Sequence, residues 1–185
     1  IVEAKIRNQA ALLNKVGQEG DILKQYYRNV KSGDSDNREG IAARVYFSEL
    51  FGESFIRDRT LPGINALLNY GYTILRAATA RALVSSGLLP AIGIFHHNRS
   101  NAFPLADDIM EPYRPYVDEI VYALSMQGKM ELTKDVKADL IQVLYADTQF
   151  SKVIRPLSVG LTFTSSSLSK CFAKEQTRLS LPLMK

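Results

Sequence analysis

The chain has 185 residues and a net charge of +4, with hydrophobic and charged fractions of 46% and 23%, which is ordinary usage for a domain able to bury a real core. No apolar run reaches the roughly 18 uncharged residues of a membrane span; the longest candidate, 79–95, contains Arg81 and Gly93. Cys171 is the only cysteine, which excludes an internal disulfide and fits a reducing, cytoplasmic setting.

The first residues, IVEAKIRNQ, carry charge where the apolar region of a signal peptide would lie. They already read as helix, so the chain is expected to be a fragment that opens inside an element. Ile6, Ala10, Leu13 and Val16 fall near helical spacing and predict a helix over 2–16, with Lys5, Arg7 and Asn8 on its other faces. Gly17 and Gly20 break it, and a second helix is expected over 21–30, ending at Ser32-Gly33. The polar run 33–38 supplies N-cap residues to a helix over 37–50 that Gly52 closes. After the charged loop Arg57-Asp58-Arg59-Thr60, Pro62 suits the first turn of a long helix over 62–86. Its apolar stripe is Ile64, Leu67, Leu68, Gly71, Leu75 and Ala78, and Gly87 and Pro90 end it.

A loop around Gly93 carries His96, His97 and Arg99, and 92–95 is the stretch that reads as extended. A helix then runs from near Pro104 to about Met126, disturbed by Pro112 and Pro115, each of which removes a backbone donor and crowds the preceding turn. Ile109, Tyr113, Tyr116, Val117, Ile120, Val121 and Leu124 keep helical spacing through the disturbance, so the expectation is a kinked or two-part helix. Thr133 caps a short helix to Tyr145, and Arg155-Pro156-Leu157 leads into a last helix ending near Gln176, with Cys171 packed among Leu168 and Phe172. The fold class is all-α.

Asp108 and Glu111 lie three apart and share one helix face, which points away from the Ile109/Tyr113/Val117 stripe; Asp107 and Glu111 lie four apart. Two or three carboxylates with one imidazole form an oxygen-dominated ligand set that suits Mg²⁺ or Mn²⁺, and no cysteine near His96 points to structural zinc. An acidic pair on a helix is more often a solvated face, and adjacent loop histidines are more often exposed, so spacing alone does not establish a metal site. Glu39, in a first helical turn, is favoured there by the helix dipole without further function. Asn65, Asn69, Tyr72 and Arg76 fall on one face of the long helix, where they bind phosphates or bases, brace a catalytic helix, or face solvent. Arg57, Arg59, Arg99, Arg114 and Arg155 are candidate phosphate contacts. No Gly-rich phosphate loop or nucleophilic serine elbow is present.

Four linked blocks, REGIAARVYF (38–47), GINALLNYGYTIL (63–75), GLLPAIGIFHHN (87–98) and LADDIMEPYRPYVD (105–118), with the tail RPLSVGLTFTSSSLSKCF (155–172), resemble the CRISPR-associated integrase and endonuclease of spacer acquisition. The HHNRSNAFPLADD wording is most similar to its type II branch, and the resemblance extends over essentially the whole chain. It implies that 1–185 is the family's helical catalytic domain, without the small N-terminal β-domain that precedes it in that family. It also implies that Glu39, His96 (or His97, one residue along) and Glu111 bind Mg²⁺ or Mn²⁺, that Asp108 completes the acidic pair, and that Arg57, Arg59, Asn65, Asn69, Tyr72 and Arg76 belong to a nucleic-acid groove. A glutamate at 111 departs from members with two aspartates, but its longer side chain still reaches an ion. The implied reaction is transesterification, inserting a captured DNA fragment into the CRISPR array. The implied partners are double-stranded and branched DNA, the small CRISPR adaptation partner protein, and a second copy in the full-length homodimer, with no membrane. The alternative is a DNA-binding or assembly module that is inactive as an isolated domain.

Overall fold

The computed structural model describes residues 1–95 and 100–185. The molecule is built around helix α4 (Ile64–Ser85), which Gly63 and Gly87 bound in backbone conformations with φ of 68° and 75°. Its buried side, Leu67, Leu68, Tyr72, Leu75, Thr79 and Leu83, is too broad for one neighbour, and α4 packs along α5 (Pro104–Met110), α6 (Arg114–Met126), α7 (Lys134–Ile141) and α8 (Leu157–Phe172). On the far side of α6, α1 (Val2–Lys15) packs against α3 (Arg38–Phe51) and the α5–α6 junction. The main core runs through α1, α3, α4, α6, α7 and α8; a smaller cluster of Leu83, Leu105, Ala106, Ile109 and Leu168 seals the end of α4. No helix among the described residues is long and apolar enough to cross a membrane.

The fold is helical, as the sequence predicts, and the two-part helix is present: α5 ends at Met110, residues Glu111–Tyr113 form a 3₁₀ turn, and α6 begins at Arg114. Thr133 caps α7, its Oγ1 accepting from the Val136 amide at 3.3 Å. Several expectations are corrected. The helix expected over 21–30 shrinks to a 3₁₀ turn and the short α2 (Lys24–Tyr27), because the chain folds straight back onto α1: a Cβ at Gly20 would lie 2.0 Å from the Ala10 carbonyl. Residues 92–95 are not a strand; the Ile94 and Phe95 amides donate to Asp108, and among the described residues no strand pairs with them. The strands are β1 (Asp147–Phe150) and β2 (Val153–Pro156), an antiparallel hairpin turning at Ser151, with Thr148 and Phe150 set against Gly160 of α8. Helix α8 ends at Phe172 rather than near Gln176, and Cys171 is half-buried rather than enclosed.

A buried carboxylate joins three of these helices. Asp118 of α6 accepts from Tyr46 of α3 at 2.8 Å and from Tyr72 of α4 at 2.5 Å, and it is 1% exposed. Burial pushes the Asp118 carboxyl up to about 6, against the downward pull of the two phenols, Arg114 and Lys5. A carboxyl whose folded value lies above its unfolded one keeps its proton in the native state while the unfolded chain has released it. Its contribution to stability therefore declines as pH rises from about 4 to above 6.

Two outcomes follow. Asp118→Asn should flatten the pH dependence of stability between pH 4.5 and 7.5, removing a decline on the order of 2–3 kcal/mol, read from urea midpoints of both proteins; identical profiles would contradict the placement. At Gly71 an added Cβ would lie 2.4 Å from Val117 Cγ1. Alanine there gains about 1 kcal/mol of helix propensity, but overpacking against a β-branched side chain costs ~1–3 kcal/mol, so the clash wins. Gly71→Ala should lower the urea midpoint, and should cost less in a Val117→Ala background.

Candidate active site

Glu39 is placed by the start of α3. Asn37, in a left-handed conformation (φ 51°), caps the helix by accepting from the Gly40 amide at 3.3 Å. A Cβ at residue 40 would meet Asn37 Oδ1 at 2.6 Å, so the glycine after Glu39 lets the cap approach closely. The Asp34 carboxylate accepts from the Arg38 amide at 2.9 Å and from the Glu39 amide at 3.0 Å. With the first-turn amides satisfied by these two residues, the Glu39 carboxylate is left to point elsewhere.

Glu111 is placed by the proline-broken helix. Three residues per turn stack positions i and i+3 over each other, and Glu111 Oε1 meets Arg114 at 2.8 Å. Its other oxygen, Oε2, lies 2.6 Å from Lys5 Nζ. The same ammonium donates to Glu39 Oε1 at 2.6 Å, so two carboxylates distant in sequence share one cation. Lys5 comes to this point because α1 is pinned to the kink: Asn8, one turn on, donates to the Pro112 carbonyl at 2.8 Å. Burial would push the Lys5 ammonium down, but Glu111 and Glu39 hold it above the ordinary lysine range. Burial would raise the Glu111 carboxyl, but Lys5 and Arg114 hold it below the usual carboxylate range. Asp108, 2% exposed, accepts from the Ile94 and Phe95 amides at 2.6 and 2.9 Å and so fixes the segment leading into residue 96. Glu39, Asp108 and Glu111 all line one cavity of about 420 Å³.

On the other side of Glu111 lies a groove of about 560 Å³ walled by Arg57, Arg59, Asn69, Tyr72, Arg76 and Arg114. Arg57 is fixed by hydrogen bonds to Asn65 Oδ1 at 2.9 Å and Asn69 Oδ1 at 2.7 Å. Two guanidinium groups lie over the Tyr72 ring, Arg57 at 5.6 Å and Arg114 at 4.6 Å from its centroid. Arg76 is held by Asp107 at 2.8 Å and by Asn101. Asn65 is not in the wall: it is 4% exposed, and its amide serves Arg57, the Asp58 amide and the Ile56 carbonyl. It braces the loop that carries Arg57 and Arg59.

The acidic face of α5 and the kink is not solvated, as its distance from the apolar stripe suggests; Asp108 and Glu111 are both buried. Lys5 and Asn8, read as lying on the outer faces of α1, are buried too, at 9% and 1% exposure. Sequence reasoning missed both, along with Tyr46 and Asp118. The available signal was the Leu12-Leu13 pair, which requires two adjacent buried stripes, one of them shared by Lys5 and Asn8. His96, His97 and Arg99 lie outside the described residues. Among the described residues no three acidic, histidine or cysteine side chains enclose a metal position by themselves. Glu39 and Glu111 nevertheless fit a cation, since a lysine ammonium already sits on both of them.

A family model described as "CRISPR associated protein Cas1" matches residues 1–158. The CRISPR-associated endonuclease Cas1 of Neisseria meningitidis serogroup C (strain 8013) is 46% identical over 149 residues, covering 78% of this chain and 49% of that protein. The chain spans about half the length of the curated relatives it matches. Among solved structures, a casposase bound to integration product superposes with a TM-score of 0.77 at 24% identity, covering 97% of this chain and 64% of that one. A partial Cas6-RT-Cas1–Cas2 complex gives 0.77 at 24% identity, covering 100% and 66%. At these identities the structural likeness is one of fold, and membership rests on the family model and the Neisseria relative: the chain belongs to the Cas1 family.

Proposed function

We propose that this chain is the catalytic domain of a spacer-acquisition integrase, which joins a captured DNA fragment to the edge of a CRISPR repeat. The observation that carries the reading is the convergence of Glu39, Asp108 and Glu111 on one cavity beside an arginine-walled groove. Membership of the Cas1 family and the likeness in fold to a casposase bound to integration product support it.

Glu39 and Glu111 would hold Mg²⁺ or Mn²⁺, with His96 as the imidazole ligand. Bound there, the ion would polarise a phosphodiester and stabilise charge on the attacking and leaving oxygens. The remaining work belongs to the protein. Arg57 and Arg59 bind the backbone of double-stranded or branched DNA, and Arg57 does so preorganised by Asn65 and Asn69. Asp108 holds the Ile94-Phe95 backbone against α5 through both amides. In the reaction a 3′-hydroxyl oxygen forms a bond to phosphorus and loses its proton to solvent, while the bond to the departing 3′-oxygen breaks and that oxygen takes up a proton from solvent. One phosphodiester replaces another, so no external energy source is required. Water in place of the hydroxyl gives endonuclease cleavage at the same site. Assembly with the small partner Cas2 is part of the proposal, supported by the likeness in fold to a Cas6-RT-Cas1–Cas2 complex.

Branched DNA incubated with Mn²⁺ should be cleaved or strand-transferred, and Glu39→Ala, Glu111→Ala or His96→Ala should each slow this on the order of 100-fold or more. Neither binding nor turnover of such DNA by the chain, alone or with Cas2, would sink the reading. DNA bound tightly by the chain with no turnover would instead make it a binding module. Arg59→Ala, at an exposed groove position, should weaken DNA binding without regard to sequence and reduce the slope of log affinity against log salt by about 1.

A further inference from the structure

The point where Glu39 and Glu111 meet is held by Lys5, 2.6 Å from each and with its side chain 11% exposed. A lysine between two partly buried acids usually serves as structural charge pairing, but its neighbours here are the two carboxylates through which the chain would hold a divalent ion. A divalent ion held by the same two carboxylates would compete with the ammonium for them. The other cation on Glu111 is unlike it: Arg114 sits on the second oxygen, its guanidinium stacked on Tyr72, and leaves Oε2 to Lys5. Lysine suits a replaceable position, being a compact charge on a four-carbon stem that turns aside without rearranging the backbone. The cavity next to it offers the room to do so.

We infer that Lys5 is a built-in counter-ion: it keeps Glu39 and Glu111 together when no divalent ion is bound, and the ion must displace it from between them to bind. Lys5 is thus a positioning residue that sets metal affinity, and this rests on the metal reading proposed above. A purely structural lysine and a competing one differ in the sign of one measurement. If Lys5 only holds the fold, its removal loosens the acids and weakens metal binding or leaves it unchanged. If it competes, its removal strengthens metal binding while the metal-free protein becomes less stable, because two carboxylates out of water have lost a shared partner.

The test is titration calorimetry of Mn²⁺ into wild type, K5M and K5R, with melting temperatures measured with and without Mn²⁺. K5M should bind Mn²⁺ on the order of tenfold or more tightly than wild type, melt earlier without the ion, and gain more from it. K5R keeps the charge and should bind Mn²⁺ no more tightly than wild type. Mn²⁺ bound by wild type but no more tightly by K5M, or bound more tightly by K5R as well, would overturn the role of Lys5 and leave the metal site standing. No Mn²⁺ binding by wild type or K5M would overturn the metal reading and this inference with it. Should K5M fail to fold, wild type alone decides: acetylation by an N-hydroxysuccinimide ester, mapped by mass spectrometry, should modify Lys5 more with Mn²⁺ than without, and equal or lower modification would overturn the inference.

Discussion

The alternating run of charge from Glu39 through Lys5 and Glu111 to Arg114 is the constraint on which the architecture of the site depends. Each member comes from a different part of the chain: the first turn of α3, the first turns of α1, the proline-broken junction, and the start of α6. Removing carboxylates and cations from water costs several kcal/mol per ion, so Lys5 and Glu111, the two most buried of these groups, depend on their neighbours. The run therefore does more than decorate a packed core. It requires α1, α3 and the junction to arrive together, and apolar packing of Ile6, Leu13, Tyr46 and Tyr113 around it holds them there.

The junction is where a local sequence effect becomes chemistry. Pro112 and Pro115 prevent a continuous α-helix, and the three-residue turn Glu111–Tyr113 stacks Glu111 on Arg114 while freeing the other oxygen of Glu111 to face α1. The cost of the break is met in part by Asn8, whose side chain takes the Pro112 carbonyl and, with its oxygen, the Met184 amide. One buried amide thus ties α1, the kink and the end of the chain together. Asp118 does the same for α3, α4 and α6 through two phenols. The site is carried by polar links of known direction, each buried, and each dependent on helices that have no sequence proximity.

Periodicity made α1, α4 and α6 legible, because each buries an apolar stripe, whereas α3 and α8 were readable from the residues that lead into them. The kink was readable because proline chemistry is local. The hairpin was not: Asp147-Thr148-Gln149-Phe150 is four mostly polar residues, and only its position over Gly160 reveals why two of them are buried. At the site, the motif resemblance selected Glu39, Asp108 and Glu111, which the fold brings to one cavity. It did not select Lys5, because a charged residue beside Ile6 on a helix reads as surface until a second helix is known to cover that face. Asn65 was assigned to a binding face for the converse reason: the helical stripe with Asn69 and Tyr72 is real, but a loop from 56 to 59 lies over its first member.

Glu111 stands on the boundary between two opposite fields. The groove, with Arg57, Arg59, Arg76 and Arg114, attracts a polyanion; the cavity, with Glu39, Asp108 and Glu111, repels one. A phosphate drawn along the groove reaches the acids only where their charge is offset, and Lys5 and Arg114 together match the charge of Glu39 and Glu111. On the proposed reading a divalent ion in the place of Lys5 would leave that group with one more positive charge, so loading the ion and admitting the scissile phosphate would be coupled by charge. Arg114 makes the coupling local, since it touches both Glu111 and the Tyr72 ring of the groove wall. On that reading, DNA would be bound over a broad surface while chemistry is reserved for one point at its edge.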